Sequence, residues 1–244
     1  MMRADANVLS ASASAGLIPV PAPLPPDEHR AERERMLDEL HERIRTCTRC
    51  VVAGYLARNT SIAGFRGRVS DRIMLVGQAP GHLSVERGQP FAGPGGRMLD
   101  GWLQRAGFAP GALWSAVYLS AMTKCDPGKH PRGGGDRKPS PAELALCRPF
   151  LIAELDLVRP RVIVPLGGMA IEAFLGPRKL HAVIGQAYER NGVKLLPLPH
   201  PSGVSRWLNA PQHQALLTDA LEILASWRRS WAAAAMDAAA RGGD

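Results

Sequence analysis

No apolar stretch in this 244-residue sequence is long enough to cross a bilayer, so nothing in it reads as a transmembrane helix. It has no internal repeat either, which excludes a solenoid or a repeat array. Cysteine is scarce, with four residues in the whole chain; two disulfides or four unrelated buried thiols are the plain alternatives, and a cytosolic setting argues against the disulfides. Acidic residues are outnumbered, 22 against 30 Lys and Arg, giving a formal charge of +8. That balance favours a polyanionic partner. The basic residues collect in polar loops, and no basic amphipathic helix of the membrane-surface type is present, so nucleic acid fits better than anionic lipid.

What is present is enough for one sizeable core, since 45% of the residues are hydrophobic. The first 30 residues are rich in Ala, Ser and Pro and end in a proline run, Pro21-Ala22-Pro23-Leu24-Pro25-Pro26. Asp5 and the interspersed serines argue against a secretory signal over Val8 to Ile18, and the prolines predict a disordered or polyproline-like tail. A cytoplasmic location follows as the expectation. Residues 31–229 read as a single domain and 230–244 as a fraying helix and a loose end.

Hydrophobic spacing predicts an amphipathic helix from Ala31 to Ile44, with Met36, Leu37, Leu40 and Ile44 on one face. A second helix runs from Gly95 to Ala106 and stops at Gly107. Ser140-Pro141-Ala142-Glu143 is a capping box with proline at the first helical position, opening a helix to Val158. Further helices are predicted at Met169–Leu175 and from Pro211 to Trp227. Strands are predicted at Ile73–Val76, Val117–Leu119, Val162–Val164 and Lys194–Leu198. Strands alternating with helices predict an α/β fold: a three-layer αβα sandwich with a central, mainly parallel four-stranded sheet.

Two loops follow strand-like runs. Gly77-Gln78-Ala79-Pro80-Gly81-His82 comes after the first strand and His200-Pro201-Ser202 after the last. Strand ends of this kind meet at the carboxyl edge of an α/β sheet, where ligands bind. The cysteines form a second constellation. Cys47 and Cys50 are a Cys-x-x-Cys pair at the end of a charged helix, and Cys125 and Cys147 lie farther along with 21 residues between them. Four thiolates brought together suit zinc or an iron–sulfur cluster, and the spacing alone does not choose. A thioredoxin-like redox pair would need a strand before Cys47, and none is there.

The ordered set Cys47-Thr48-Arg49-Cys50, Gly77-Gln78-Ala79-Pro80-Gly81, Gly88-Gln89-Pro90-Phe91-Ala92-Gly93, Thr123-Lys124-Cys125, Cys147, Leu166-Gly167 and His200-Pro201-Ser202 resembles the uracil-DNA glycosylase superfamily, and most of all its iron–sulfur (family four) branch. The similarity covers roughly Cys47 to Trp227. It implies a [4Fe-4S] cluster on Cys47, Cys50, Cys125 and Cys147, in preference to zinc. It implies a monomer that hydrolyses the glycosidic bond of uracil in DNA and leaves an abasic site.

The same resemblance implies roles for single residues. Gly77, Gln78 and Ala79 would form the floor of a base pocket, with Gln78 orienting water. Phe91 would carry the stacked base, and His200 would contact the uracil carbonyl and stabilise the departing anion. The loop from Gly203 to Trp207 would enter the duplex. There Ser202 is a candidate for the flanking phosphate, Val204 for the wedge filling the gap (Trp207 and Leu208 are alternatives), and Arg206 for a second phosphate. Lys129, His130, Arg132, Arg137 and Lys138 form a further basic patch.

The sequence departs from the family pattern at the chemistry. Gln78 stands where the iron–sulfur branch carries Glu, and Ala79 where the main bacterial and eukaryotic enzymes carry a water-activating Asp. Ser84 replaces another acidic position. Ala121, beside Ser120, aligns with the base-reading Asn, which makes this pair the candidates for that part of the pocket. His82 and Glu86 are the nearest substitutes for the missing base. Gly81 stands where the better-known enzymes use Tyr to exclude thymine, so other altered bases could enter. The rival expectations are a uracil- or abasic-DNA binding protein without turnover, forming a covalent adduct through His82 or His130, and a structural zinc protein.

Overall fold

A computed structural model describes residues 7–8, 16–25, 29–62, 67–133, 135–201 and 206–241. Its strands are β1 (Asn7–Val8), β2 (Ile73–Gly77), β3 (Tyr118–Ala121), β4 (Val162–Pro165), β5 (Tyr188–Arg190) and β6 (Val193–Leu195). The helices are α1 (Arg30–Arg45), α2 (Arg49–Val52), α3 (His82–Arg87), α4 (Pro94–Arg105), α5 (Ala112–Ser115), α6 (Pro141–Val158), α7 (Gly167–Leu175) and α8 (Pro211–Arg241).

The sheet order is β1-β5-β6-β4-β2-β3. Its centre, β6-β4-β2-β3, is parallel throughout, as the alternation of strands and helices predicts. Two short strands extend it beyond the expected four: β5 runs antiparallel to β6, and β1 pairs parallel with β5.

Both faces of the central strands are buried, so the strand sequences are continuously apolar. Alternate side chains go to opposite layers. Met74, Val76, Tyr118, Ile163 and Leu195 join α1, α6 and α7 in one core. Ile73, Leu75, Leu119, Val162 and Val164 join α4 and α8 in the other. The capping box of α6 forms as predicted, with Ser140 Oγ accepting from Glu143 N and the Glu143 carboxylate accepting from Ser140 N at 2.8 Å.

Three expectations are corrected. The amino-terminal segment is not loose over residues 16–25. Ile18 and Val20 are buried, Ile18 N donates to Ala173 O at 2.8 Å, and Arg190 Nη2 donates to Ile18 O at 2.6 Å. A short apolar stretch between prolines is held there by polar groups of α7 and β5. The last helix does not stop at Trp227: it runs without a break into the Ala-rich stretch read as a separate fraying helix, and continues to Arg241. Met36, placed on the apolar face of α1, is exposed, while Leu37, Leu40 and Ile44 are buried.

Candidate active site and cysteine cavity

Parallel strands deliver their carboxyl ends to one edge of the sheet. β2 ends in Gly77 and β3 in Ala121, its registered neighbour. β2 passes to β3 on one side, while β4 lies on its other side, so a crevice opens above the switch in strand order. A small cleft lies at this edge. Gly77, Ala79, Phe91, Ser120 and Ala121 all line it, together with Pro80, Gly81 and Ser84.

Glycine is required at Gly96, where a Cβ would fall on the Phe91 carbonyl oxygen, while a Cβ on Gly77 would make only ordinary contact with Phe91 Cζ at 3.4 Å. Phe91 itself has φ +55°, in the left-handed region that a bulky residue rarely adopts. Such a conformation persists only where its surroundings enforce it, and it concentrates at ligand sites. Here the start of α4 enforces it.

Gln78 is half-buried, and its carbonyl accepts from Thr123 N at 3.2 Å. His200 follows β6 and the bridge Leu166–Leu198. Its ring packs against Gly167, whose absent Cβ would come within 3.2 Å of His200 Cδ2. His200 is an exposed residue, yet the protein packed around its ring lowers its pKa by desolvation. The His200 loop and α4 meet directly, because a Cβ on Gly95 would strike the Pro201 carbonyl oxygen. Gln78, His82 and His200 are not among the lining residues; Gln78 and His82 adjoin lining residues in the chain, and His200 is placed only by its contact with Gly167 and by the neighbouring Pro201.

His82 opens α3 and sits between two carboxylates, 3.2 Å from Glu86 Oε1 and 3.5 Å from Asp126 Oδ2. Its backbone N–H donates to Asp136 at 3.3 Å, and Asp136 also holds Lys129 at 2.8 Å. Asp126 and Asp136 escaped the sequence reading. They lie in the basic loop, and only the fold brings that loop over Gly81 and His82.

Other expectations change with the geometry. The Ser120 hydroxyl points away from any incoming base: it donates to Glu154 at 2.5 Å and accepts from Lys124 at 2.7 Å. Trp207 lies flat on His213 with ring centroids 4.1 Å apart and packs against the core, as does Leu208, so neither is a wedge. Arg206 is exposed at the start of a 3-10 turn. Ser202 and Val204 lie outside the described residues. In the basic patch, His130 accepts from Arg132 N at 3.2 Å, and Arg137 forms a two-pronged bond to Glu143 at 2.7 and 2.8 Å.

All four cysteines line a second, narrow cavity. The turn after α1 supplies Cys47, α2 supplies Cys50, the segment after β3 supplies Cys125, and α6 supplies Cys147. Asn59 was not foreseen. It donates to Cys47 O at 2.7 Å and to Ile44 O at 3.1 Å, and accepts from the Cys125 thiol at 3.7 Å. Arg49 lies over the Phe150 ring and donates to Leu146 O, locking α2 to α6. Burial raises the pKa of Cys50 and Cys125 and pushes Cys147 up to about 11. Such thiols ionise when a positive charge enters the cavity beside them. Among the described residues, no group of three or more His, Cys, Asp or Glu is gathered so as to hold a single metal ion.

Arg137 beside Glu143 holds that carboxylate well down, at about 2 against the usual 4.5. The folded state therefore favours the ionised form. The stabilisation is complete above pH 4.5 and is lost as pH falls towards 2. Thermal melts across this window should show a steeper acid loss for the wild type than for Glu143→Gln. Equal slopes would mean that the pair contributes nothing.

Comparison with known proteins agrees with this architecture. Residues 65–225 match the model of the uracil DNA glycosylase superfamily. A type-4 uracil-DNA glycosylase of Thermotoga maritima is 32% identical over 71% of this chain and 85% of its own length. One from Pyrobaculum aerophilum is 32% identical over 70% of this chain and 85% of its own. A type-5 uracil-DNA glycosylase of Mycobacterium bovis is 32% identical over 56% of each. The chain belongs to the uracil DNA glycosylase superfamily.

Proposed function

We propose that this protein is a DNA repair glycosylase that hydrolyses the N-glycosidic bond of uracil in DNA and leaves an abasic site. The observation that carries the reading is the cleft at the carboxyl edge of β2 and β3, walled by Phe91 in a left-handed conformation. A base inside a duplex is unreachable, so it must be everted into a pocket. Stacking on an aromatic ring returns about 1–3 kcal/mol of that cost. In this reading Phe91 is the stacking platform, and Gly77 to Ala79 the floor.

Cleavage leaves positive charge on the sugar and negative charge on the base. His200, neutral because burial disfavours its protonated form, donates a hydrogen bond to the base oxygen as that charge grows. Water adds to the sugar carbon and the base departs as its anion. Gln78 orients the water. His82, with Asp126 and Glu86 within 3.5 Å, is the group that receives its proton. Arg206 and Ser202 hold flanking phosphates, and Val204 fills the vacated stack.

The four cysteines are assigned to a [4Fe-4S] cluster. Four sulfur donors lining one cavity are the donor set that an iron–sulfur cluster takes. When bound, the cluster ties α1 and α2 to α6 and to the basic loop. Cys47, Cys50, Cys125 and Cys147 hold it.

The test is incubation of purified protein with an oligonucleotide carrying one uracil, followed by alkaline cleavage and a denaturing gel. Strand scission at the uracil is expected. A stable shifted adduct, or intact DNA, would reject the hydrolase. Gly81 gives the cleft wall no side chain, so xanthine and hypoxanthine oligonucleotides should also react, whereas strict uracil preference would reject that wider range.

A further inference from the structure

Between the base cleft and the cysteine cavity lies a fully buried ion pair, Lys124 Nζ to Glu154 Oε2 at 2.6 Å, with side chains 2% and 0% exposed. The same ammonium donates to Ser120 Oγ at 2.7 Å and to Ala121 O at 2.8 Å, and both of these residues line the cleft. At its other end Lys124 lines the cysteine cavity, and its backbone N–H donates to Cys147 Sγ at 3.2 Å. One residue therefore touches both sites. Glu154 is fixed by the Ser120 hydroxyl, which donates to the same carboxylate oxygen. Tyr118 and His41, bonded to each other at 2.8 Å, close the buried network on the α1 side.

Stability alone does not account for this arrangement. Removing two charges from water is expensive, and well-packed apolar residues usually do as well or better. What the pair provides is geometry. It gives the last two residues of β3 a fixed position relative to a thiol on α6.

We propose that Lys124 is a positioning residue that couples the cysteine cavity to the floor of the base cleft, setting Ser120 and Ala121 according to what Cys147 holds. The inference rests on the glycosylase and cluster assignments above. Cys147 Sγ accepts the Lys124 backbone N–H at 3.2 Å, so a group held by Cys147 fixes that end of Lys124 in place. Emptying the cavity slackens the Lys124 backbone and, through the ammonium, the end of β3.

The test uses Glu154→Gln and the double variant Lys124→Met with Glu154→Leu, which exchanges the pair for apolar side chains. Iron content, affinity for uracil-containing DNA and single-turnover excision are measured for each. Both variants should load iron as the wild type does and bind DNA within about twofold. Excision should be about ten- to a hundredfold slower, the effect of a misplaced floor. Excision within about twofold of wild type, or a loss that only tracks missing iron, would overturn the proposal.

Hydrogen exchange on the wild-type protein supplies a readout that needs neither variant. Chelating the metal should raise deuterium uptake at residues 118–124 and leave residues 162–166 unchanged. Equal uptake at 118–124 with and without metal would refute the coupling, even where the variants fail to fold. A wild type that binds iron yet excises nothing would refute the glycosylase reading instead, with exchange still deciding the coupling.

Discussion

Exchanging His200 for alanine should slow single-turnover uracil excision by about 100- to 1,000-fold while leaving DNA affinity nearly unchanged. The asymmetry follows from the role proposed for the ring. A hydrogen bond to the base oxygen is strongest when the base carries its departing charge, so its loss falls on the rate rather than on binding. The scaffold supports such a role. Leu198 N donates to Pro165 O at 3.0 Å and Gly167 N donates to Leu198 O at 2.9 Å, which pins the loop two residues before the ring. Gly167, with φ +78°, lets the backbone come against the imidazole. Because burial lowers the pKa of His200, the neutral ring persists below the ordinary imidazole range. The excision rate should stay level as pH falls through that range and decline only beneath it. A parallel loss of binding and rate in the alanine variant would make His200 a docking residue instead.

Placing a methyl group on Gly96 should destabilise the protein by about 1–3 kcal/mol, the usual cost of overpacking, and should abolish most of the excision activity. The added Cβ would meet the Phe91 carbonyl oxygen and come within 2.9 Å of Phe91 Cβ. Either α4 shifts or Phe91 leaves its left-handed conformation, and in both cases the stacking wall moves. Gly101 on the same helix is the control. A Cβ there meets nothing within 4 Å, so Gly101→Ala should leave activity intact and keep or slightly raise the melting temperature. Equal activity in the two variants would dissociate Phe91 from the reaction.

The parallel centre of the sheet was legible in the sequence because its strands are short apolar runs between capped helices. β5 was not, because Tyr188-Glu189-Arg190 is three residues of mixed polarity whose strand character comes from pairing with β6. β1 is two residues inside an Ala- and Ser-rich stretch and gives no periodic signal. The far end of α8 was legible as helix from its alanine run, but its continuity with the helix from Pro211 was not, because the run carries no amphipathic stripe. At the site, motif order led to Gly77, Ala79, Phe91, Ser120 and Ala121, which the fold gathers around one cleft. The partners of those residues were invisible. Ser120 and Glu154 are 34 positions apart, and His82 meets Asp126 across 44. Nothing in local spacing marks such pairs. They arise because β3 and α6 lie against each other and because the basic loop folds back onto α3.

The most direct measurement is a crystal structure of the protein bound to an oligonucleotide with a non-hydrolysable deoxyuridine analogue. The account predicts the base everted, its ring face to face with Phe91 above Gly77 and Ala79, and a His200 ring nitrogen within hydrogen-bonding distance of a base oxygen. A base left stacked in the duplex, or lodged away from Phe91 with His200 turned to solvent, would contradict it.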